Sequence, residues 1–419
     1  MNEIRVDVAF FGARRYYNVP RLLERAGLLG TFYTDLYLGN KPWLRSALRS
    51  FPPAYAPAAV KKLLFKDAPG LPAAKVVSFD ILGLRELWFR GRTGSWLQLQ
   101  HHYARFGREF CEHVARTGLD HASVFYGFRN GCLEIFQAAK RRQTLCIVEQ
   151  NSAAQQVENQ LLNEEVQRWP DWEKRNPLAA IDDHFADPVA QREEAEWGEA
   201  DYIVCPSEFV ISTLESMGVS RDKCRLLPYG IDIDSLRPRE RRPDGRGINV
   251  LFMGLVGLRK GIPYLLEALK ALDSPNIHCR LVGFFEADRQ RVSEYAKWVE
   301  IVGPVPRSEI SHSYEWADVL VLPSISEGSA LVTYEALACG IPVITTPNSG
   351  SSVRDGVNGF IVPIRDPQAL ASRIDQLAGD PEMLRTMSAH ALECRSGFSS
   401  EAYGSGILDL IRSVHELRQ

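Results

Sequence analysis

Two glutamates eight positions apart, Glu327 and Glu335, bracket the segment Pro323-Ser324-Ile325-Ser326-Glu327-Gly328-Ser329-Ala330-Leu331-Val332-Thr333-Tyr334-Glu335-Ala336-Leu337-Ala338-Cys339-Gly340. An apolar run from Asp318 to Leu322 reads as a strand ending at Pro323. Leu331, Val332, Ala336 and Leu337 then recur at a helical period until Gly340 and Pro342 stop the helix. Glu327 therefore precedes a helix and Glu335 lies inside it. The N–H groups of Ser329, Ala330 and Leu331 are expected to be free at a helix end made positive by the macrodipole, which suits a phosphate. At about 1.5 Å per residue, the rise from Ala330 to Glu335 is roughly 7 to 8 Å, the reach from a diphosphate to the hydroxyls of its ribose. Glu335 can then accept from a ribose, while Glu327 and Gly328 face whatever the diphosphate carries.

A second constellation is Gly254-Leu255-Val256-Gly257-Leu258-Arg259-Lys260-Gly261, set between an apolar strand and an amphipathic helix. Gly257 and Gly261 would serve an ordinary turn equally well. Arg259 and Lys260, however, stand at a helix N-terminus, where the dipole disfavours cations, and a bound anion would compensate both. Metal chemistry finds no comparable pattern. Asp232-Ile233-Asp234 is a lone D-x-D in a junction, and the nine histidines form no H-x-H or H-E-x-x-H. The eight cysteines are scattered without a C-x-x-C pair, which argues against a zinc site and a disulfide framework. Gly-x-Ser-x-Gly is also absent.

The elements that must carry these residues alternate in type. In the second half Ile248–Met253, His278–Val282, Val299–Val302, Asp318–Leu322, Pro342–Thr346 and Phe360–Val362 read as strands, most of them followed by helices. That is the pattern of a doubly wound parallel sheet, whose ligands bind beyond the carboxyl ends of its strands. Gly257 to Gly261, Gly283, Gly303-Pro304-Val305 and Ser324 to Leu331 all fall at such ends. In the first half Val6–Phe11, Thr31–Tyr37, Ser123–Tyr126, Thr144–Val148, Asp201–Cys205 and Arg225–Leu227 read as a second sheet. The acidic stretch from Gln155 to Glu199 reads as a solvated helical insertion.

The Glu327/Glu335 segment resembles the E-x7-E element of retaining glycosyltransferase family 4, which uses nucleotide-sugar donors on the GT-B fold. Gly254 to Gly261 resembles that family's phosphate loop, Pro228-Tyr229-Gly230-Ile231-Asp232 its interdomain junction, and Asp355-Gly356-Val357-Asn358-Gly359-Phe360 its turn after the donor helix. The likeness is dense over residues 200 to 395 and holds only in outline before them. It implies two Rossmann-like domains facing a cleft: an acceptor-binding domain over 1–230 with a helical insertion over 152–199, a linker over 231–247, a nucleotide-sugar domain over 248–396, and a helix over 397–419 crossing back to the first domain.

The resemblance further implies Lys260, Arg259 and Glu327 as the catalytic set and Gly257, Gly283, Val305, Gly328, Ser329, Ala330, Leu331 and Glu335 as the donor site. No metal or other cofactor is expected. The donor is a UDP-, GDP- or ADP-sugar, and the acceptor a sugar, a lipid-linked or a small molecule carrying a hydroxyl. Two departures stand out. Leu255 occupies a position where the family often has Arg, and Tyr126-Gly127-Phe128-Arg129-Asn130 replaces a segment that often carries His. On the acceptor side Gly12, Arg14, Arg15, Tyr16, Arg129, Asn130, Glu149 and Asn151 follow strand ends and face the cleft in the resembled fold. A GT-B epimerase or phosphorylase, or a non-catalytic sugar-nucleotide-binding subunit, is the alternative.

Composition agrees with a two-domain globular protein. The chain has 419 residues, 45% hydrophobic and 24% charged, with no apolar run of membrane-spanning length and no signal-peptide pattern at Met1-Asn2-Glu3-Ile4-Arg5, so a cytoplasmic location is expected. Residues 1 to 110 carry 17 Lys and Arg against 8 Asp and Glu, which leaves the remainder acidic. Within that basic part the segment from Lys41 to Lys66 interleaves Trp43, Leu44, Leu48 and Phe51 with cations, a composition that can lie on an anionic membrane face. Nucleic acid is not expected as a partner, since the isoelectric point is about 6.3 and no recognition motif occurs.

Overall fold

The computed structural model of the chain describes residues 4–50, 63–64, 66–90, 96–117, 119, 122–173, 187–238 and 247–416. Among them two parallel sheets form. The first contains β1 (Val6–Ala9), β2 (Leu29–Thr34), β3 (Val76–Ser78), β4 (Val124–Phe128), β5 (Leu145–Glu149), β6 (Tyr202–Cys205) and β7 (Cys224–Leu226), in the order β3-β2-β1-β4-β5-β6-β7. The second contains β8 (Ile248–Met253), β9 (Ile277–Val282), β10 (Val299–Gly303), β11 (Val319–Leu322), β12 (Val343–Thr345) and β13 (Gly359–Ile361), in the order β10-β9-β8-β11-β12-β13. All strands expected from sequence are present within a few residues. The one added is β3, three residues at the sheet edge, too short to carry a period.

Strand order reverses between β1 and β4 in the first sheet and between β8 and β11 in the second. In open parallel sheets the crevice at that reversal is where ligands bind, because the flanking helices diverge there. The loops after β1 and β4 carry Gly12, Arg14, Arg129 and Asn130. Those after β8 and β11 carry Gly257, Arg259, Lys260 and Glu327.

Each sheet is buried on both faces, which explains its runs of Val, Ile and Leu. The helix Ser400–Glu416 contributes Tyr403, Ile407, Ile411 and Val414, spaced at a helical period, to the core beneath Val6, Val8 and Val124 of the first sheet. The chain thus leaves the second domain and closes the first.

The acidic insertion departs from expectation. It holds two helices, Gln155–Arg168 and Pro188–Glu199, with 174–186 outside the described residues. Glu165, Glu193 and Glu196 are buried rather than solvated. Glu165 accepts from Tyr264 Oη at 2.7 Å and from Arg365, both in the second domain. Glu196 accepts from the backbone N–H groups of Asn130 and Cys132, at 2.5 and 2.9 Å. Trp172 joins the second domain's core beside Leu258 and Tyr264. Charge counting missed this because a carboxylate with enough donors can be buried, and periodicity does not reveal its donors. The Gln155–Arg168 helix and the residues after it to Glu173 are consequently fastened to the second domain, although β5 before them and the helix Pro188–Glu199 beyond belong to the first.

Candidate functional site

The crevice wall after β8 and β11 is built by close backbone approach. After β8 the chain turns at Gly254, with φ +147°, and after β9 at Gly283, with φ +144°. A Cβ on Gly283 would lie 1.7 Å from the Gly254 carbonyl oxygen, so only glycine lets these two strand ends touch. The turn Leu258–Lys260 follows, closed by Gly261 in the left-handed region at φ +68° and pressed against the Pro323 carbonyl. Ile325 N–H donates to the Arg259 carbonyl at 2.9 Å, which locks this loop to the one after β11.

That junction brings two cations onto one carboxylate. Arg259 Nη1 donates to Glu327 Oε1 at 2.9 Å, and Lys260 Nζ pairs with the same oxygen. Lys260 and Glu327 are nearly buried. Burial pushes the Lys260 ammonium below its ordinary range against the pull of Glu327. The Arg259 guanidinium stays above its ordinary range despite burial, because Glu327 and Glu158 lie beside it. Glu158, on the Gln155–Arg168 helix, is a carboxylate that the sequence did not single out. Burial raises its pKa, and it lies within electrostatic reach of Arg129, Arg259 and Glu327.

Glu335 sits in the second turn of the helix Leu331–Ala338 and accepts from Tyr314 Oη at 2.7 Å. Burial raises its carboxyl above the ordinary value. Val305 is half-buried against the same core as Tyr314. The helix start differs from expectation, because the Ala330 N–H is not free and donates to the Ser349 carbonyl at 3.0 Å. Ser329 Oγ donates to Tyr334 Oη at 3.0 Å, and Leu331 is 38% exposed. Gly328 is where the domains meet, since its carbonyl accepts from Ser207 Oγ at 2.6 Å and a Cβ on it would lie 1.9 Å from the Asn151 carbonyl. Gly257 likewise adjoins the insertion, whose Glu173 Oε1 accepts from the Leu258 N–H at 2.6 Å.

On the opposite wall a cavity of about 440 Å³ opens between the β1 and β4 loops and the helices Trp96–Thr117 and Gln155–Arg168. Arg14, Arg129, Asn130 and Asn151 line it as the sequence suggested, joined by Tyr103, Gln100 and Gln155, which it did not. Gln100 and Tyr103 stand three apart on a long helix, and nothing in their local sequence sets them apart. Arg14 Nη2 donates to Tyr103 Oη at 2.8 Å. Arg129 pairs with Glu193 at 2.8 Å and donates to Gln155 Oε1 at 2.7 Å. Gly12 N–H is held by Asp35 Oδ1 at 3.0 Å, which fixes the β1 loop. The side chains of Arg15 and Tyr16 lie outside the described residues.

Glu149 does not face this cavity. It is fully buried and accepts from Tyr126 Oη at 2.6 Å, Tyr229 Oη at 2.9 Å and Tyr403 Oη at 3.3 Å. It therefore joins β5, the interdomain junction and the crossing helix. A strand-end position suggested an acceptor role, but the side chain turns into the core where three phenols satisfy it.

Elsewhere, Asp232 and Asp234 are exposed, and among the described residues no group of three His, Cys, Asp or Glu could hold a metal ion. No helix of the described residues is long and apolar enough to cross a membrane. In the basic segment, residues 51–62 and Phe65 lie outside the described residues, while Lys41, Arg45 and Lys66 pair with Asp80, Asp67 and Asp35.

Residues 247–380 match the family model described as "Glycosyl transferases group 1". The chain is 30% identical over 227 residues to a D-inositol 3-phosphate glycosyltransferase of Thermobifida fusca, covering 48% of this chain and 52% of the relative. It is 32% identical over 235 residues to the protein of the same name in Geodermatophilus obscurus, covering 50% and 52%. The chain thus spans about half the length of the curated relatives it matches. Over their whole length, solved structures share the fold. Anabaena HepE in complex with UDP superposes with a TM-score of 0.62 at 14% identity, covering 98% of this chain and 100% of that one. Sucrose-phosphate synthase of Thermosynechococcus elongatus gives 0.62 at 20%, covering 99% and 100%. The fold is GT-B, and the likeness to glycosyltransferase family 4 read from the residues is borne out over 247–380.

Proposed function

We propose that this chain is a retaining, metal-independent glycosyltransferase that moves a sugar from a nucleotide-diphosphate sugar to a hydroxyl acceptor in glycan or glycoside biosynthesis. The observation that carries this reading is the convergence of Arg259 and Lys260 on Glu327 at the crevice between β8 and β11. HepE, whose fold this chain shares, has been crystallised with UDP-glucose.

Breaking a sugar–diphosphate bond leaves negative charge on the departing oxygen and positive charge on the anomeric carbon. Lys260, nearly buried and held by its loop, needs no reorganisation to stabilise the first charge, and Arg259 adds a second cation beside it. An arriving diphosphate would favour the charged form of Lys260 that burial disfavours. Glu327, already gripped by two cations, is suited to fixing donor-sugar hydroxyls and ill suited to attacking the anomeric carbon. In this mechanism the acceptor oxygen attacks from the face the diphosphate leaves. The new C–O bond forms as the old one breaks, and the acceptor proton passes to a phosphate oxygen. Glu335 holds the ribose. Lys260→Ala should lower turnover by on the order of 10²-fold or more with UDP-, GDP- or ADP-sugars, and wild-type turnover in this variant would refute the assignment.

Peripheral association with a membrane face belongs to the same reading, carried by Trp43, which is 72% exposed, rather than by the paired cations beside it. Vesicle flotation tests it: binding should persist as salt rises, and absence from vesicles of any charge would remove the idea.

A further inference from the structure

Among the described residues, the lining of the first-domain cavity combines two arginines with no carboxylate. Its lining is Arg14, Arg129, the amides of Gln100, Asn130, Asn151 and Gln155, the hydroxyls of Tyr103 and Ser152, and apolar Leu99 and Val189. The charge of Arg129 is balanced from behind by Glu193, a buried residue whose two oxygens are also engaged by the Gln150 side chain and the Gln155 N–H. For Arg14 no ion pair is found among the described residues, and its guanidinium lies 5.3 Å from the Phe11 ring centroid and 5.7 Å from that of Phe128 while donating to Tyr103. A half-buried cation backed by aromatic rings and a neutral phenol keeps its full charge toward the cavity.

A second observation points to a ligand independently. Asn130 is 2% exposed, and its Oδ1 is buried without a hydrogen-bond partner among the described residues. Its backbone is held at φ +64°, in the left-handed region that a non-glycine residue seldom adopts, by the Glu196 carboxylate on its N–H. A buried acceptor without a donor costs free energy unless something supplies one, and a hydroxyl in the cavity would.

Resting on the glycosyltransferase reading above, we infer that this cavity is the acceptor site and that the acceptor is a polyhydroxylated anion. A sugar or cyclitol would carry a phosphate or carboxylate against Arg14 and a hydroxyl donating to Asn130 Oδ1. The cavity's volume falls within the range of about 300 to 1,000 Å³ typical of small-molecule sites, so the recognised unit is a single ring rather than an extended glycan.

Calorimetric titration of the full chain with glucose 6-phosphate, inositol phosphate and glucuronate, each beside its uncharged counterpart, tests this without a donor. The wild type should bind at least one charged probe at least tenfold more tightly than its neutral partner, and the phosphate and carboxylate arms report which anion is preferred. Arg14→Ala should abolish that preference, weakening the charged probe roughly tenfold or more while leaving the neutral one unchanged, and Arg14→Lys should restore part of it. Nucleoside-diphosphate binding, measured on the same variants, should not move, which separates a failure here from a failure of the donor assignment. Equal affinity for charged and neutral probes, no charged probe binding more tightly than about 10 mM, or a preference that survives Arg14→Ala would each overturn the proposal.

Discussion

Replacing Glu335 with glutamine should move stability and nucleotide affinity in opposite directions. Among the described residues the Glu335 carboxylate accepts one side-chain hydrogen bond, from Tyr314 at 2.7 Å, and burial raises its pKa above the ordinary 4.5. A carboxyl whose folded pKa lies above its unfolded value contributes stability that is fully present below the unfolded pKa and is lost as pH rises through the folded one. Glutamine keeps an oxygen for Tyr314 and never ionises. The variant should therefore match the wild type near pH 4 and be the more stable of the two near pH 7, read as a higher Tm there. Affinity should fall, because charge-assisted hydrogen bonds contribute about 1.5 to 3 kcal/mol and neutral ones about 0.5 to 1.5 kcal/mol, a difference worth roughly five- to fifteenfold in Kd for a nucleoside diphosphate. Thermal unfolding across that pH range gives the first number, and calorimetric titration with UDP, GDP and ADP the second. A variant whose stability relative to the wild type is no greater near pH 7 than near pH 4, with unchanged affinity for every nucleotide, would refute both the buried-charge argument and the ribose assignment.

Glu149→Ala should lower Tm while leaving nucleotide binding intact. It strips three buried tyrosine hydroxyls of their acceptor, at a cost of about 3 kcal/mol or more, and loosens the crossing helix. Loss of nucleotide binding without loss of stability would mean that Glu149 belongs to the cleft after all. The Lys260→Ala turnover, Arg14→Ala preference and vesicle measurements given above complete the set.

The second domain was legible from sequence because each of its signals is local. Strand runs such as Ile248–Met253 are buried on both faces and so read as unbroken apolar stretches, and Gly261 and Gly340, with φ +68° and +75°, mark turns that the chain cannot make without glycine. The Glu327/Glu335 spacing carried over for the same reason, since a loop and one helix fix it.

What the sequence could not determine depends on contacts between distant segments. Glu149 and Asn151 both follow β5, yet one turns into a core of three tyrosines contributed by β4, the junction and the last helix, while the other lines the cavity. Ala330 loses its free N–H to Ser349, nineteen residues on, because the two loops close against each other. The acidic insertion looked solvated because charge is visible in sequence, whereas Tyr264 and Arg365, which allow Glu165 to be buried, are 99 and 200 residues away. Local periodicity fixed which strands exist. Only the tertiary structure decided which charges are neutralised: Arg129 is paired with Glu193, while for Arg14, on the same cavity, no ion pair is found among the described residues.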